Sequence, residues 1–566
     1  MTADAPELTD DPEAEGTRKT ARWGPQHWQL SWTGLLLAVV LFCLSLTPSL
    51  LPRPALYMGL IGGLAATTGY ALGAFIAWAL RRMEVPAPGP AGRRRAWIVL
   101  AVGAPLMGLA SLVLGWKWQE EVRVLVGEEP AGLSMYVVPV IAVVVFAALL
   151  LIGRGIRGIA RLITRVLGRF VPVPLARVVA VVALLLIGWW IASGVLPRVF
   201  LDTVDSMYAQ VNDSTEPGVT QPMSPLRSGS PESLVPWDTL GQTGRTFVSQ
   251  GPDAEQITAL TGRPAQEPIR VYVGMDTTET IPEGAALAVA ELMRTRAFER
   301  EVLVVAGVTG TGWLEPQSVD SIEYIWGGDT AIVGLQYSFL PSWISFIIDR
   351  QRPAEAGQAL FDAVYGEWSR LPRESRPRLI VYGLSLGSYA MQSAFATVGG
   401  MQNQTDGALF VGTPNFTEPW GTLERQRDPG SPEWKPVYRA GTQVRFAPNS
   451  VDFDALPGPW LPPRIAYLQH ANDPVVWWSY DLIAQEPDWL KEPRGPGVSP
   501  SMRWIPIVTF LQVTVDQFFG VTVPNGNGHN YPNTIVDAWV EVTQPPDWSA
   551  EETARIQALI DTMPTT

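Results

Sequence analysis

Residues 378–392 read RLIVYGLSLGSYAMQ, an apolar run that ends in Gly-Leu-Ser-Leu-Gly and passes at once into residues of helical character. The pattern predicts a strand, a sharp turn with Ser385 at its tip, and a helix. The G-x-S-x-G spacing is weak by itself, because a chain with 52 Gly produces it readily by chance. The flanking strand and helix give it weight: in such an elbow Gly383 and Gly387 are needed because neighbouring backbone comes too close for side chains. Ser385 is then a candidate nucleophile, against the blander reading of a Gly-rich packing turn.

Outward from this turn, short apolar runs alternate with amphipathic segments over residues 266–566. The candidate strands are IRVYVGM, EVLVVAG, TAIVGLQY, RLIVYG, GALFVGT and RIAYLQH; AALAVAELMRTRAF, the neighbourhood of QSVDSIEYIW, and EAGQALFDAVYGEWSRL are long enough for helices. That alternation predicts an α/β domain, a mostly parallel sheet with helices on both faces and its reactive loops at the carboxyl ends of the strands.

A serine nucleophile needs a base, and the chain has three His. His27 precedes the first apolar span, which leaves His470 and His529. His529 lies in the loop PNGNGHNYPNT ahead of a helical segment; His470 closes a strand three residues before Asp473. The nucleophile, acid, base order of this architecture makes Asp473 the acid and His529 the base, with His470 as the alternative base and Asp452 and Asp454 as rival acids. Oxyanion donors are expected from Leu386 and from the loop GVTGTGW after EVLVVAG, with Val308 and Thr309 as candidates. A phosphate loop is the competing reading of GVTGTGW, but the Lys-Ser/Thr ending is missing.

The first two hundred residues are different in kind. The whole chain is 47% hydrophobic with a mean hydropathy of +0.12, and five apolar stretches, about 31–51, 56–80, 97–116, 135–152 and 178–197, contain no charged residue. Each is a candidate membrane span, making residues 1–200 a helical membrane domain of five crossings, with its first span retained as an anchor. Basic residues alternate by loop: Arg18, Lys19 and Arg22; Arg81, Arg82 and Arg93–Arg95; and Arg154, Arg157, Arg161, Arg165, Arg169 and Arg177, against only Arg53, Lys117 and Arg123 in the other loops. The positive-inside bias therefore puts the N-terminus in the cytoplasm and everything after about residue 198 outside it. Arg154 to Arg169 recur at helical spacing, the mark of an interfacial helix on anionic lipid or of a simple positive-inside anchor. Residues 201–265, rich in Ser, Pro, Gly and Thr, are expected to link the two halves.

Composition excludes other chemistries. A single Cys, Cys43, rules out a disulfide framework and a thiolate zinc site, and the absence of clustered ligands implies neither metal nor cofactor. Residues 1–200 hold 18 basic against 11 acidic side chains and the remainder 23 against 43, so the acidic C-terminal part disfavours nucleic acid. Uncharged spans argue against an ion or proton pathway.

The segments SLVPWDTLG, RVYVGMD, TGTGWLEP, GGDTAIVGLQYSFLPSW, GLSLGSYA, HANDPVVWW and GHNYP together resemble a family of bacterial, mainly high-GC Gram-positive, membrane-anchored α/β-hydrolases with a multi-helix N-terminal membrane domain. The resemblance covers most of the chain and implies an α/β-hydrolase fold with Ser385, Asp473 and His529 in the triad roles. Such a site acts on an acyl carbonyl through an acyl-enzyme. Membrane placement, with Trp477 and Trp478 after the acid and Phe339, Leu340, Trp343 and Phe346 in another apolar loop, favours an acyl ester of a membrane lipid or acylated envelope component; the plainer reading of these aromatics is core. Acyl transfer by the same triad and a non-catalytic scaffold that keeps the fold are the alternatives.

Overall fold

The computed structural model describes residues 30–564 except 87, 131, 133, 191–193, 195–206, 342–344 and 346–348. Arg18, Lys19, Arg22, His27, Trp343, Phe346 and most of the end of the fifth expected span lie outside the described residues.

Seven parallel strands form one sheet: β1 (Ile269–Val273), β2 (Val302–Gly307), β3 (Thr330–Leu335), β4 (Arg378–Leu384), β5 (Gly407–Val411), β6 (Val444–Ala447) and β7 (Arg464–Leu468). Their order is β1-β3-β2-β4-β5-β7-β6, so β4 and its turn lie at the centre. The strands are apolar on both faces and almost wholly buried, as expected when helices cover both sides of a parallel sheet. Helices Ile281–Arg294, Pro316–Ile325 and Gln351–Trp368 supply the first crossovers. The first of them is opened by a capping box between Thr280 and Glu283.

All six expected strands are present, and β6 is an addition. Its four residues are interrupted by Arg445, which is buried at the sheet edge and donates to the carbonyls of Gly441 and Gly458. Residues 201–265 are more than a linker. Helices Gly241–Ser249 and Ala254–Thr261 lie in this span, and Val235, Leu240, Phe247, Val248 and Ile257 belong to the same core as the sheet. Arg227 bridges alongside Arg270 of β1 and donates to the carbonyls of Val248, Gln250 and Pro252, so buried polar groups hold a segment whose composition reads as loop.

The N-terminal part is a helical bundle: α1 (Trp32–Leu44), α2 (Ala55–Arg82), α3 (Pro90–Leu125), α4 (Val137–Leu167) and α5 (Val173–Trp190). Four of these, α2 to α5, are long and apolar enough to cross a membrane. The first expected span differs: α1 has 13 residues, about 20 Å of helix, and ends where Ser45 begins a buried, Pro-containing turn. The arginines 154–165 do not form a separate interfacial helix. They continue α4, whose 31 residues reach about 46 Å, well beyond a hydrocarbon core of about 30 Å.

Small residues let α2 pack closely on both sides. A Cβ at Gly69 or Gly73 would lie 2.3 Å from Leu37 O or 2.2 Å from Thr33 O of α1, and one at Gly59 or Gly63 would run into Ile141 or Val145 of α4.

The two parts share a junction. The turn between α1 and α2 sends Leu50 and Leu51 into the core of the C-terminal part, and Val126 joins them from the end of α3. Asp516 accepts from Ser49 Oγ and from Leu50 N (3.1 Å) and faces Arg53 at 3.5 Å, with both charged side chains fully buried. Gln512 donates to Thr47 O at 2.9 Å, and Ser499 to Glu121 at 2.7 Å. The α1–α2 turn thus marks the end of the bundle that touches the C-terminal part, and the C-terminus of α2, the N-terminus of α3 and the arginine end of α4 lie at the other.

Candidate active site

The sheet brings three loop ends together. Ser385 follows β4, and its N–H donates to Val411 O, the last residue of β5, at 2.9 Å; Gly412 N in turn donates to Leu468 O at the end of β7. Ser385 is 7% exposed and has φ +56° and ψ −124°, a strained conformation that persists only where its surroundings hold it. They do so through glycine: a Cβ at Gly383 would lie 2.4 Å from the Gly387 carbonyl group, and one at Gly387 would lie 2.1 Å from Gly307 O. The elbow is therefore wedged against the end of β2, where the GVTGTGW loop starts.

Asp473 lies beyond β7 and caps the short helix Pro474–Trp477. Its Oδ1 accepts from Val475 N (2.8 Å), and its Oδ2 accepts from Tyr531 Oη (2.6 Å) and lies 2.7 Å from His529 Nδ1. An ionised carboxylate only accepts, so Nδ1 is the donor, and in the neutral imidazole the lone pair is then on Nε2. Nε2 is buried and has no hydrogen-bond partner among the described residues. The ring is confined on its Cε1 side: a Cβ at Gly412, whose φ is +54°, would lie 2.3 Å from His529 Cε1. The imidazole is thus pressed against the residue next to the one that anchors Ser385.

His470 occupies a different place. Its Nδ1 donates to Gly528 O (2.9 Å), its ring stacks on Tyr531 with centroids 4.1 Å apart, and its N–H donates to Tyr531 Oη. Burial pushes its pKa down to about 4, so it is neutral at pH 7. Its carbonyl accepts from Asp473 N at 3.2 Å, but its ring makes no hydrogen bond to the Asp473 carboxylate among the described residues and instead braces the residue before His529. Of the rival acids, Asp452 pairs with Lys435 and Asp454 is exposed at the turn after β6.

The oxyanion candidates separate. The amides of Leu386 and Val308 have no acceptor among the described residues, but the Thr309 amide donates to Trp313 O at 3.0 Å. Thr309 is consumed in closing its own loop and is not a free donor. The acid's aromatic neighbours are core: Trp477 and Trp478 are 1% and 3% exposed, with their indole N–H groups on His470 O and Thr514 Oγ1.

Three contributors lie outside the sequence-based set. Tyr531 donates a hydroxyl hydrogen bond to Asp473 Oδ2, Gly412 makes room for the imidazole, and Glu315, buried beneath the GVTGTGW loop and bonded by Ser318, has a carboxyl that burial pushes up while the His529 imidazole opposes the shift. Only Tyr531 had a signal, its position two residues after His529 within GHNYP.

Comparison with known proteins bears on the fold and the family. Residues 269–556 match the sequence model of an alpha/beta-hydrolase family, and residues 46–252 match the model of the N-terminus of an alpha/beta-hydrolase family. No curated protein and no solved structure matches the chain. The first match takes in every strand of the sheet, the Ser385 elbow, Asp473 and His529, and extends over more than half of the sequence. On that match the chain belongs to the alpha/beta-hydrolase family.

Proposed function

We propose that the protein is a membrane-anchored serine hydrolase that cleaves acyl esters. The observation that carries this reading is the meeting, at Val411 and Gly412, of a strained, glycine-wedged Ser385 and an imidazole whose Nδ1 is held by Asp473 and whose buried Nε2 is unpartnered among the described residues. In this reading His529 Nε2 takes the proton as Ser385 Oγ attacks the acyl carbonyl, and Asp473 stabilises the imidazolium that results. The amides of Leu386 and Val308 receive the oxyanion. The alcohol leaves with the proton from His529, and water, activated by the same imidazole, releases the acid from the acyl-enzyme.

A lipid or acylated envelope component is the substrate class the surroundings favour. The segment that leads to His529 leans on the bundle, with Phe519 edge-on to Tyr57 of α2 at 4.8 Å, and leaves Phe518 and Val521 exposed beside it. An ester lying in the bilayer surface would meet this apolar rim first.

The test is fluorophosphonate labelling of membranes carrying the wild type, Ser385→Ala, His529→Ala and His470→Ala. Wild type labels, Ser385→Ala does not, and His529→Ala labels at least a hundredfold more slowly. Labelling that survives Ser385→Ala rejects the nucleophile, and an unlabelled wild type favours a scaffold that keeps the fold without the chemistry.

A further inference from the structure

Helices α4 and α5, with Tyr70 of α2, line an open cavity of about 1020 Å³ at the end of the bundle remote from the C-terminal part. Six arginines line it: Arg154, Arg157, Arg161 and Arg165 from α4, Arg169 from the turn, and Arg177 from α5. No Asp or Glu occurs between Glu129 and Asp202, so neither helix supplies a carboxylate of its own, and Arg157, Arg165, Arg169 and Arg177 form no ion pair among the described residues. Leu150, Val173 and Val181 line the same cavity, giving it an apolar side as well as a basic one.

The positive-inside bias accounts for arginine at this end of the bundle but not for its convergence. Arg81, Arg82 and Arg93–Arg95 satisfy the same bias from exposed helix ends without lining this cavity. The like charges of Arg157, Arg165, Arg169 and Arg177 around one concavity repel one another, and an anion seated among them turns that repulsion into attraction. The guanidinium fork suits phosphate oxygens in particular.

We propose that this cavity binds the headgroup of an anionic phospholipid, with the phosphates among the arginines and the proximal acyl carbons against Leu150, Val173 and Val181. The mixed lining favours a lipid over a soluble phosphate, because an ion alone gives the apolar side nothing to cover. A headgroup with two phosphates, as in cardiolipin, matches the charge and the volume best.

The full chain, purified in a neutral detergent, is titrated with cardiolipin and with phosphatidylcholine, and retained lipid is read by native mass spectrometry. Cardiolipin binds at least tenfold more tightly than phosphatidylcholine, and the Arg157→Gln/Arg161→Gln/Arg165→Gln variant loses at least tenfold. Ala160→Trp, which fills the cavity without touching its charge, loses the lipid too. The variant Arg93→Gln/Arg94→Gln/Arg95→Gln, equal in charge but outside the cavity, retains it. Equal loss in that control, or undiminished binding by Ala160→Trp, overturns the site. Displacement of cardiolipin by inorganic phosphate at matched phosphate concentration overturns the lipid reading in favour of a soluble anion.

Discussion

Gly412 sets the tolerance around the imidazole, because its φ of +54° and the 2.3 Å approach to His529 Cε1 leave no room for a methyl group. Gly412→Ala therefore displaces the imidazole. A displacement of about 1 Å lowers the rate of serine acylation by about a hundredfold, read as the fluorophosphonate labelling rate of a variant that still folds. His470 adds a pH dependence of a different kind. Its pKa falls from 6.5 in the unfolded chain to about 4 in the fold, so its neutral form contributes stability that is complete above pH 6.5 and lost as pH falls towards 4. The loss amounts to about 3 kcal/mol. His470→Phe keeps the ring against Tyr531 but cannot titrate, so its stability varies less than that of the wild type between pH 6.5 and 4 in denaturant unfolding. That Ser385 follows β4 in a sharp turn and that Asp473 follows β7 was legible in sequence, because strand ends are marked by apolar runs. The roles of Gly412 and Tyr531 were not, since each depends on a register between β5, β7 and a distant loop. That the Thr309 amide turns back to Trp313 was not legible either, because nothing local signals it.

Among the elements, the turn between α1 and α2 makes an unusual demand, burying Arg53 against Asp516 with a separation of 3.5 Å. Arg53 Nε and Nη1 and Asp516 Oδ1 lack hydrogen-bond partners among the described residues, and burial pushes the aspartate up to about 6 despite the arginine beside it. A pair this loosely satisfied is one whose desolvation is poorly repaid. Asp516→Leu alone strands the arginine and costs about 3–5 kcal/mol, whereas Arg53→Met/Asp516→Leu recovers most of that loss; thermal unfolding in detergent micelles measures both. The pair also explains why the first span was overestimated. Residues 45–51 are apolar enough to read as membrane helix, but Leu50 and Leu51 are buried in the C-terminal core instead. Hydropathy registers removal from water and does not distinguish lipid from protein. The same limit hid β6, whose buried Arg445 breaks the apolar run, and made residues 224–261 look like a linker although polar groups tie them to β1.

At the scale of the whole molecule, the bundle separates charge from chemistry. The arginines of the α2–α3 turn and of the α4–α5 region gather at one end, while the α1–α2 turn and the end of α3 meet the acidic C-terminal part at the other. Because basic residues are retained on the cytoplasmic side during insertion, this arrangement predicts that the Ser385 site faces away from the cytoplasm. The single cysteine makes the prediction simple to test, since a Cys43→Ser background carries no other thiol. Ser375 and Ala91 are both exposed, the first in the C-terminal part and the second at the start of α3. In intact cells a membrane-impermeant maleimide labels Ser375→Cys and spares Ala91→Cys, which reacts only after lysis. The opposite pattern would place the Ser385 site in the cytoplasm and the arginine cavity on the outer face, overturning the orientation that the basic loops predict.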